Sequence, residues 1–322
     1  MDRRAFIGTV TGGLIAAPLA AKAQGATVAR VGYLNLFSIP SLLEAFRQGL
    51  RDHGWTAGQN LELAARVPDG REDRIREIGA EFQRLKIDVV LLTATSIQLG
   101  RSAVGSLPIV FAISDDPVST GLVQSLARPG GRLTGMTSLN VDLDGKRLEI
   151  LNSALPHASR VALVATRRDT MFPDRIASAE RAARSLGVHI DIIEVSRPGQ
   201  LAAAFDTASR GRAGAVMVFG SASFFHEQTR MAELAKTIRV PVISAWREFA
   251  DAGGFMSYGT NIPAMFRRVA GHVDRILKGA NPADLPVEQA NTFELIINMK
   301  TAKALGLTIP PSLLQRADQV IE

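Results

Sequence analysis

Two adjacent carboxylates, Asp115 and Asp116, stand in the segment FAISDDPVSTGLV, directly after an apolar run and before a proline. Paired acids at the end of a buried strand can act as a general acid and a general base. They can equally contact a ligand in a cleft, or shape a turn in which Asp bonds backbone N–H groups beside Pro117. The turn and the ligand contact are compatible, and both are favoured over catalysis because neither acid has an obvious catalytic companion.

Polar residues follow other apolar runs of the chain in the same way. Asn35 and Phe37 come after VARVGYL, and Thr93, Thr95 and Ser96 come after IDVVLL and before a helical pattern. The N-terminal N–H groups of a helix suit a carboxylate ligand. Simple helix capping by Thr95 is an equally good interpretation of these residues.

The second half of the chain offers a similar set of candidates. Ser221 and Ser223 follow AGAVMVFG, and the segment SAWREFADAGGFMSYG supplies Trp246, Arg247 and Tyr258. An aromatic surface beside a guanidinium is typical of a small-molecule site. The alternative is a helix start packed onto a neighbouring loop, with Ser223 acting as a cap.

Motifs of other reaction types are absent from the sequence. It has no G-x-G-x-x-G after a strand, no P-loop, no H-E-x-x-H and no G-x-S-x-G. The five histidines fall in different predicted elements without metal-ligand spacing, and the chain has no cysteine. We therefore expect no catalytic residue, no cofactor and no metal.

The elements that would position these residues are apolar strands alternating with helices of about a dozen residues. One series runs from Val28 to the strand LPIVFAIS, and a second begins near Arg160 with RVALVAT. Nearly all-apolar strands between helices indicate parallel sheets covered on both faces. The fold class predicted is α/β, with two doubly wound parallel-sheet lobes whose ligands bind at the carboxyl ends of the strands.

The N-terminal segment MDRRAFIGTVTGGLIAAPLAAKAQG has the features of an export signal. It has a charged start with Arg3 and Arg4, an apolar middle and the small-x-small sequence Ala21-Lys22-Ala23. The paired arginines resemble the twin-arginine type. We expect residues 1–23 to be removed and the product to be periplasmic, without a lipid anchor because no cysteine is available to acylate.

The net charge of +6 does not indicate a nucleic-acid partner. The basic residues are spread along the chain in ones and twos, as on solvated helix faces. The segment removed at 1–23 contains Arg3, Arg4, Lys22 and Asp2, so the charge of the remainder falls by two, from +6 to +4. A DNA-binding regulator would also need a helix-turn-helix ahead of Val28, where the leader stands.

Several longer blocks resemble one family in order. They are DPVSTGLVQSLARPGGRLTG, RLTGMTSLN, RVPVISAWREFADAGGFMSYGTN, ILKGANPADLPVEQ and NMKTAKALGLTIPPSLLQRADQVIE. Together they resemble the substrate-binding components of ABC-type importers, in the branch similar to a tryptophan-binding protein, over about Val28 to Glu322.

The resemblance implies a periplasmic-binding-protein fold of type I, in which two lobes joined by three crossing strands close on a ligand. It implies a first lobe of 26–139 plus 259–289 and a second lobe of 140–258 plus 290–322. The expected partners are a small-molecule ligand and an ABC permease in the inner membrane. The expected oligomeric state is a monomer. The candidate ligand-binding residues are Asn35, Phe37, Thr95, Ser96, Asp116, Ser138, Ser221, Trp246, Arg247 and Tyr258.

Three places depart from the family pattern, all at the cleft edge of the second lobe. The family usually shows Asn-Pro at Thr166-Arg167, often an acid at Ala222-Ser223, and often a tyrosine near Ser244. The ligand is therefore the least transferable property, with an amino acid or another carboxylate as candidates. The alternative function is an enzyme on the same scaffold that uses Asp115 or Asp116 as a base.

Overall fold

The structure is a computed structural model, and it describes residues 28–93, 96–138, 141–169 and 171–322. The predicted export signal, the candidate Thr95 and the side chain of Ser223 lie outside the described part. No helix in the described ranges is long and apolar enough to cross a lipid bilayer.

The strands follow the apolar runs of the sequence closely. In chain order they are β1 (Ala29–Leu34), β2 (Leu61–Arg66), β3 (Val89–Thr93), β4 (Ile109–Ile113), β5 (Leu133–Thr137), β6 (Arg160–Ala165), β7 (His189–Glu194), β8 (Ala215–Val218), β9 (Val242–Ser244), β10 (Met256–Thr260), β11 (Glu288–Gln289), β12 (Phe293–Asn298) and β13 (Gln319–Ile321).

The helices occupy the segments between these strands. They are α1 (Pro40–Asp52), α2 (Ile75–Arg84), α3 (Ile97–Ala103), α4 (Asp142–Ala154), α5 (Phe172–Leu186), α6 (Leu201–Arg210), α7 (Ala222–Phe225), α8 (Gln228–Ile238), α9 (Arg247–Asp251), α10 (Ile262–Leu277), α11 (Met299–Ala304) and α12 (Pro311–Leu314).

The strands form two sheets, which confirms the predicted fold class. The first sheet has the order β11-β5-β4-β3-β1-β2, and the second has the order β13-β12-β10-β9-β8-β6-β7. Neighbouring strands pair in parallel in both sheets, except that β10 and β12 pair antiparallel. Buried central strands such as β3, β4 and β8 are almost entirely apolar because helices cover both faces.

The chain passes between the two sheets three times. It leaves the first sheet after β5, returns after β10 to form α10, and leaves again between β11 and β12. As a result, α10 packs on α1 although more than 200 residues separate them.

Gly49 makes the close approach of α1 and α10 possible. A Cβ atom at this position would lie 2.0 Å from the carbonyl oxygen of Arg267 in α10. No side chain can be accommodated at that distance without moving one of the two helices, so glycine is required here for steric reasons. The interface that joins distant parts of the chain therefore depends on the absence of one methyl group.

Among the elements that the sequence pattern did not identify are β5 and α4. Strand β5 reads Leu-Thr-Gly-Met-Thr, so its apolar run is interrupted although four of its five residues are buried. Helix α4 buries Asp144 and Arg147 among its apolar residues, so polar and apolar positions do not separate onto two faces. These two elements flank the cavity described next.

Candidate functional site

A cavity lies between the two sheets and has two connected parts. The larger part, here called the apolar compartment, holds about 500 Å³ of space including its opening to solvent. Aliphatic and aromatic side chains dominate its walls, as in most small-molecule sites. It is lined by Asn35, Ile39, Leu42, Thr93, Ala112, Ile113, Ser114, Ser138, Phe225, His226, Trp246, Ile262, Met265 and Phe266.

The second part, here called the polar compartment, adjoins the first and holds about 380 Å³, again including its opening. Ser114, Ser138 and Trp246 line both compartments, so they form the junction between them. The remaining lining residues of the polar compartment are Leu143, Arg147, Arg175, Gly220, Ala245 and Thr260.

The ends of the strands place residues of both halves of the chain around this space. Asn35 follows β1, Ser114 follows β4 and Ser138 follows β5, so the carboxyl edge of the first sheet forms one wall. Gly220 and Trp246 come from the segments that follow β8 and β9 in the second sheet. This is the edge at which ligands bind in open α/β sheets.

The wall from the first sheet has both fixed and available polar groups. Asn35 accepts a hydrogen bond from the hydroxyl of Thr93 at 2.8 Å and donates to Tyr33 at 3.3 Å. The hydroxyls of Ser114 and Ser138 make no hydrogen bond to the part of the chain that the structure describes. They are therefore free to bond a ligand at the junction.

The two halves touch directly at the mouth of the cavity. The ring of Phe37, after β1, lies 4.2 Å from the imidazole of His226, measured between centroids. Phe225 packs edge-on against Trp246 at 5.2 Å on the same side. One continuous apolar cluster includes Leu42 from the first half and Trp246 from the second. The structure thus shows the closed arrangement, in which both walls face one ligand space.

A buried ion cluster forms the floor of the polar compartment. Asp144 accepts hydrogen bonds from Arg147 and from Arg175, the latter through Nε at 2.6 Å and Nη2 at 3.0 Å. Arg175 also pairs with Asp169 and donates to the carbonyl of Gly220 at 2.6 Å. Its guanidinium stacks over the ring of Phe219 at 4.5 Å.

The cluster has opposite effects on the two arginines. Burial lowers the pKa of Arg147; the charge of Arg175 acts in the same direction, and Asp144 opposes both. For Arg175, burial alone would lower the pKa, but Asp144 and Asp169 outweigh it and keep the pKa above its ordinary value. Both side chains remain cations at any physiological pH. Arg147 is the less completely neutralised of the two.

The adjacent acids of the segment FAISDDPVSTGLV, Asp115 and Asp116, have separate roles. Asp116 accepts a hydrogen bond from the backbone N–H of Val118 at 2.9 Å, and its carbonyl accepts from Thr120 at 2.7 Å. It therefore forms the turn expected beside Pro117. Asp115 is half-buried, and burial together with the charge of Asp169 raises its pKa.

Three of the residues predicted from the sequence come together at the cavity, namely Asn35, Ser138 and Trp246. Ser96 lies in the core instead, where its hydroxyl donates to the carbonyl of Leu34 at 2.9 Å. It is buried by the packing of α3 against β1 and β3, so its role is structural.

Arg247 was expected at the ligand and lies elsewhere. Its guanidinium pairs with Asp251 at 3.2 Å and Glu294 at 3.0 Å, and donates to Gln319 at 2.8 Å. These partners lie on α9 and on strands of the second sheet, because Arg247 begins α9 and is directed away from Trp246. Arg247 lines neither compartment, and its contact with a ligand stays a prediction.

Four further candidates lie in the described part of the chain, namely Tyr258, Phe37, Ser221 and Asp116. None of them lines either compartment. Tyr258 packs on Phe293 with 6.4 Å between ring centroids and faces the cleft between α4 and α5. Phe37 contacts the lining residue His226, and Ser221 is the N-cap position of α7, next to Gly220. The carboxylate of Asp116 accepts a hydrogen bond within its own turn, from Val118.

The charged residues of the polar compartment were not found from the sequence. Asp144 and Arg147 stand three positions apart in DLDGKRLEIL, which places them on one face of α4. Their burial could be recognised only once α4 itself was identified. Arg175 has no local signal, because its partners Asp144 and Asp169 come from different segments.

Ligand affinity should fall as the pH is lowered from about 7.5 to about 5.5. Burial lowers the pKa of His226 below 6.5 in the closed form, with Glu227 opposing the effect. Opening exposes the ring, so below pH 6.5 the open form binds more protons and acid favours opening. Above that pH the ring is neutral in both forms and contributes no pH dependence. Isothermal titration calorimetry at several pH values measures the change.

The matched variants are His226→Gln and, as a control, His189→Gln, which replaces an exposed histidine. His226→Gln should flatten the affinity profile between these pH values, and His189→Gln should leave it unchanged. A profile that keeps its slope in His226→Gln would assign the titration to another group, with Asp115 the nearest candidate.

Comparisons with known proteins identify the family of this chain and proteins that share its fold. The sequence model of the family described as "ABC transporter substrate binding protein" matches residues 30–321. A tyrosine-binding protein of Clostridioides difficile is 24% identical over 281 residues, covering 86% of this chain and 81% of that protein.

Two solved structures share the fold at high similarity. A conserved domain protein from Vibrio cholerae is 25% identical with a TM-score of 0.79, covering 91% of this chain and 99% of that one. A protein from Streptococcus pneumonia, described as an ABC domain in complex with L-Trp, is 24% identical with the same TM-score and coverage. The resemblance seen in the sequence blocks is confirmed, and the chain belongs to the ABC transporter substrate-binding protein family.

Proposed function

We propose that this protein is the exported solute-binding component of an ABC-type importer and captures a small organic carboxylate, an amino acid or another acid, with an apolar body. The observation that carries this proposal is the cavity between the sheets. Apolar walls from both halves of the chain surround one part of it, and serine hydroxyls and guanidinium groups surround the other.

Ligand binding stabilises the closed form in this proposal. Only the closed form presents both Ser138, from the first half, and Trp246, from the second, to the same molecule. A ligand that needs both walls therefore shifts the population toward closure by its differential affinity. The closed protein then delivers the solute to a permease in the inner membrane.

The lobes proposed for this motion follow the sheets. The first lobe consists of 26–139 plus 259–289 and the second of 140–258 plus 290–322. The pairing of β10 with β9 and β12 supports placing this strand with the second lobe, and it extends to Thr260, two residues past the proposed boundary at 258/259. Monomers with the leader 1–23 removed are the proposed periplasmic form.

An enzyme that uses Asp115 as a base is the second candidate function. The raised pKa of this half-buried carboxyl is the observation that favours it. It would need a second proton-transfer group at the ligand, and His226 is the titratable residue that lines the apolar compartment. Turnover of a bound ligand, followed by mass spectrometry, would support this candidate over binding alone.

The test of the proposed function starts from cells that express the full chain. We expect the protein in the periplasmic fraction, shortened by the 23 residues of the leader. The recovered protein is then screened by thermal shift against amino acids, aromatic and aliphatic acids, sugars, nucleobases and polyamines. A ligand at about a thousand times its dissociation constant should add roughly 4 kcal/mol, a shift of several degrees.

A response confined to apolar carboxylates would support the proposed ligand class. A response only to sugars, nucleobases or polyamines would contradict it. Retention of the protein in the cytoplasm with its leader intact would contradict the export step, independently of the binding result.

A further inference from the structure

Arg147 has hydrogen-bonding capacity that the protein does not use. The side chain is only 4% exposed, yet it lines the polar compartment. Its Nε donates to the carbonyl of Tyr258 at 2.7 Å, and Nη1 donates to Asp144. Its Nη2 has no partner in the described part of the chain. This nitrogen belongs to a side chain on the wall of the compartment, so it can donate to an acceptor on a ligand that lies there.

The acids nearest to this compartment are already paired with arginines. Asp144, which is fully buried, is shared between Arg147 and Arg175, and Asp169 pairs with Arg175. Neither compartment has an aspartate or a glutamate among its lining residues in the described ranges. Arg175 is paired with both acids, so the polar compartment presents the incompletely paired guanidinium of Arg147 and no available carboxylate to a ligand.

This distribution of charge distinguishes a carboxylate from an ammonium group. A carboxylate at the junction can accept from Nη2 of Arg147 and from the hydroxyls of Ser114 and Ser138, giving charge-assisted hydrogen bonds. An α-ammonium group on the same ligand would leave water close to the guanidinium of Arg147, and no carboxylate among the lining residues would compensate its charge.

Building on the proposed function, we propose that the preferred ligand is an apolar or aromatic carboxylate that lacks an α-ammonium group. The apolar compartment holds the body of the molecule between Phe225, Trp246 and Phe266. The carboxylate lies at the junction, directed toward Arg147. The selectivity of the site is thus for acids over the corresponding amino acids.

Asp115 is the remaining acid close to the polar compartment. It follows the junction residue Ser114, and it interacts electrostatically with Asp169 and Arg175. Because burial and Asp169 raise its pKa, its charged form is disfavoured in this environment. Asp115 itself lines neither compartment.

The test compares ligands that share one skeleton on the unmodified protein. The pairs are 3-phenylpropanoate with L-phenylalanine and 3-(indol-3-yl)propanoate with L-tryptophan, with 3-phenylpropanamide as the uncharged member. We expect each acid to bind at least about tenfold more tightly than its amino acid and the acid to exceed the amide similarly. Isothermal titration calorimetry at neutral pH gives the dissociation constants.

The outcomes separate this inference from the function on which it rests. L-Phenylalanine and L-tryptophan binding as tightly as the acids, or more tightly, would overturn the inference and leave the carboxylate-binding function intact. The amide binding as tightly as the acid would overturn the role of the guanidinium. Absence of binding by every acid and amino acid would overturn the inference together with the proposed ligand class.

A variant identifies the group responsible for the selectivity. Asp115→Asn should keep the preference for 3-phenylpropanoate over L-phenylalanine, because Asp115 lines neither compartment. If Asp115→Asn changes this preference by about tenfold or more, Asp115 determines the ammonium recognition and the inference fails. Thermal unfolding of the variant confirms that the comparison is made on folded protein.

Discussion

Replacing Asp144 by asparagine should lower the free energy of unfolding by about 3–5 kcal/mol. Asp144 is fully buried and balances the charges of Arg147 and Arg175, which are 4% and 5% exposed. The amide keeps the size of the side chain and removes its charge, so two guanidiniums remain in the interior with only Asp169 to pair with them. Urea unfolding followed by circular dichroism measures the difference.

The same helix provides the matched control. Glu149 pairs with Lys146 at 2.7 Å, but both side chains are nearly half exposed. Glu149→Gln should therefore cost less than about 1 kcal/mol, since water and salt screen this pair. An Asp144→Asn variant as stable as Glu149→Gln would contradict the view that Asp144 compensates the buried arginines.

The alternation of apolar runs and helices was sufficient to predict two α/β halves from the sequence. Strands such as β3 and β4 are buried on both faces, so their composition is close to purely apolar and their ends are easy to locate. The antiparallel pairing of β10 with β12 could not be predicted in this way. It depends on the return of the chain from the first sheet, which leaves no local pattern.

The candidate site was predicted in part, because the ends of the apolar strands can be located in the sequence. Asn35 follows the buried strand β1, and the carboxyl ends of parallel strands meet at one edge. Trp246 stood out as a scarce amphipathic aromatic residue. Arg247 stood beside it in the sequence, but adjacent residues at a helix start are directed to different sides, and its partners proved to be Asp251 and Glu294.

The polar compartment was not predictable from local pattern. Buried charges such as Asp144 and Arg175 break the apolar periodicity by which helices are recognised, so they conceal the helices that carry them. Their pairing spans 31 positions and becomes evident only when the two helices are packed together. Charged residues at such positions are the ones that a functional cavity requires, and here the sequence signal is weakest.

Replacing Trp246 by alanine should weaken ligand binding by at least about tenfold. The indole is 6% exposed, lines both compartments and packs edge-on against Phe225 at 5.2 Å. Its removal merges the compartments and takes away the wall that the second half of the chain contributes to the closed form. Because the truncation also costs roughly 3–5 kcal/mol of stability, circular dichroism must show that the variant is folded before calorimetry.

Trp55, the other tryptophan of the chain, provides the control for this loss. Its indole N–H donates to Asp274 of α10 at 2.9 Å, and Trp55 lines neither compartment. Trp55→Phe should bind ligand with unchanged affinity, and it leaves Trp246 as the single tryptophan whose fluorescence should respond to ligand. Equal affinity of Trp246→Ala and the unmodified protein would mean that the ligand does not occupy the junction. Closure around a ligand must change the surroundings of an indole in the cavity wall. If Trp55→Phe binds ligand measurably and its fluorescence does not change, the same conclusion follows.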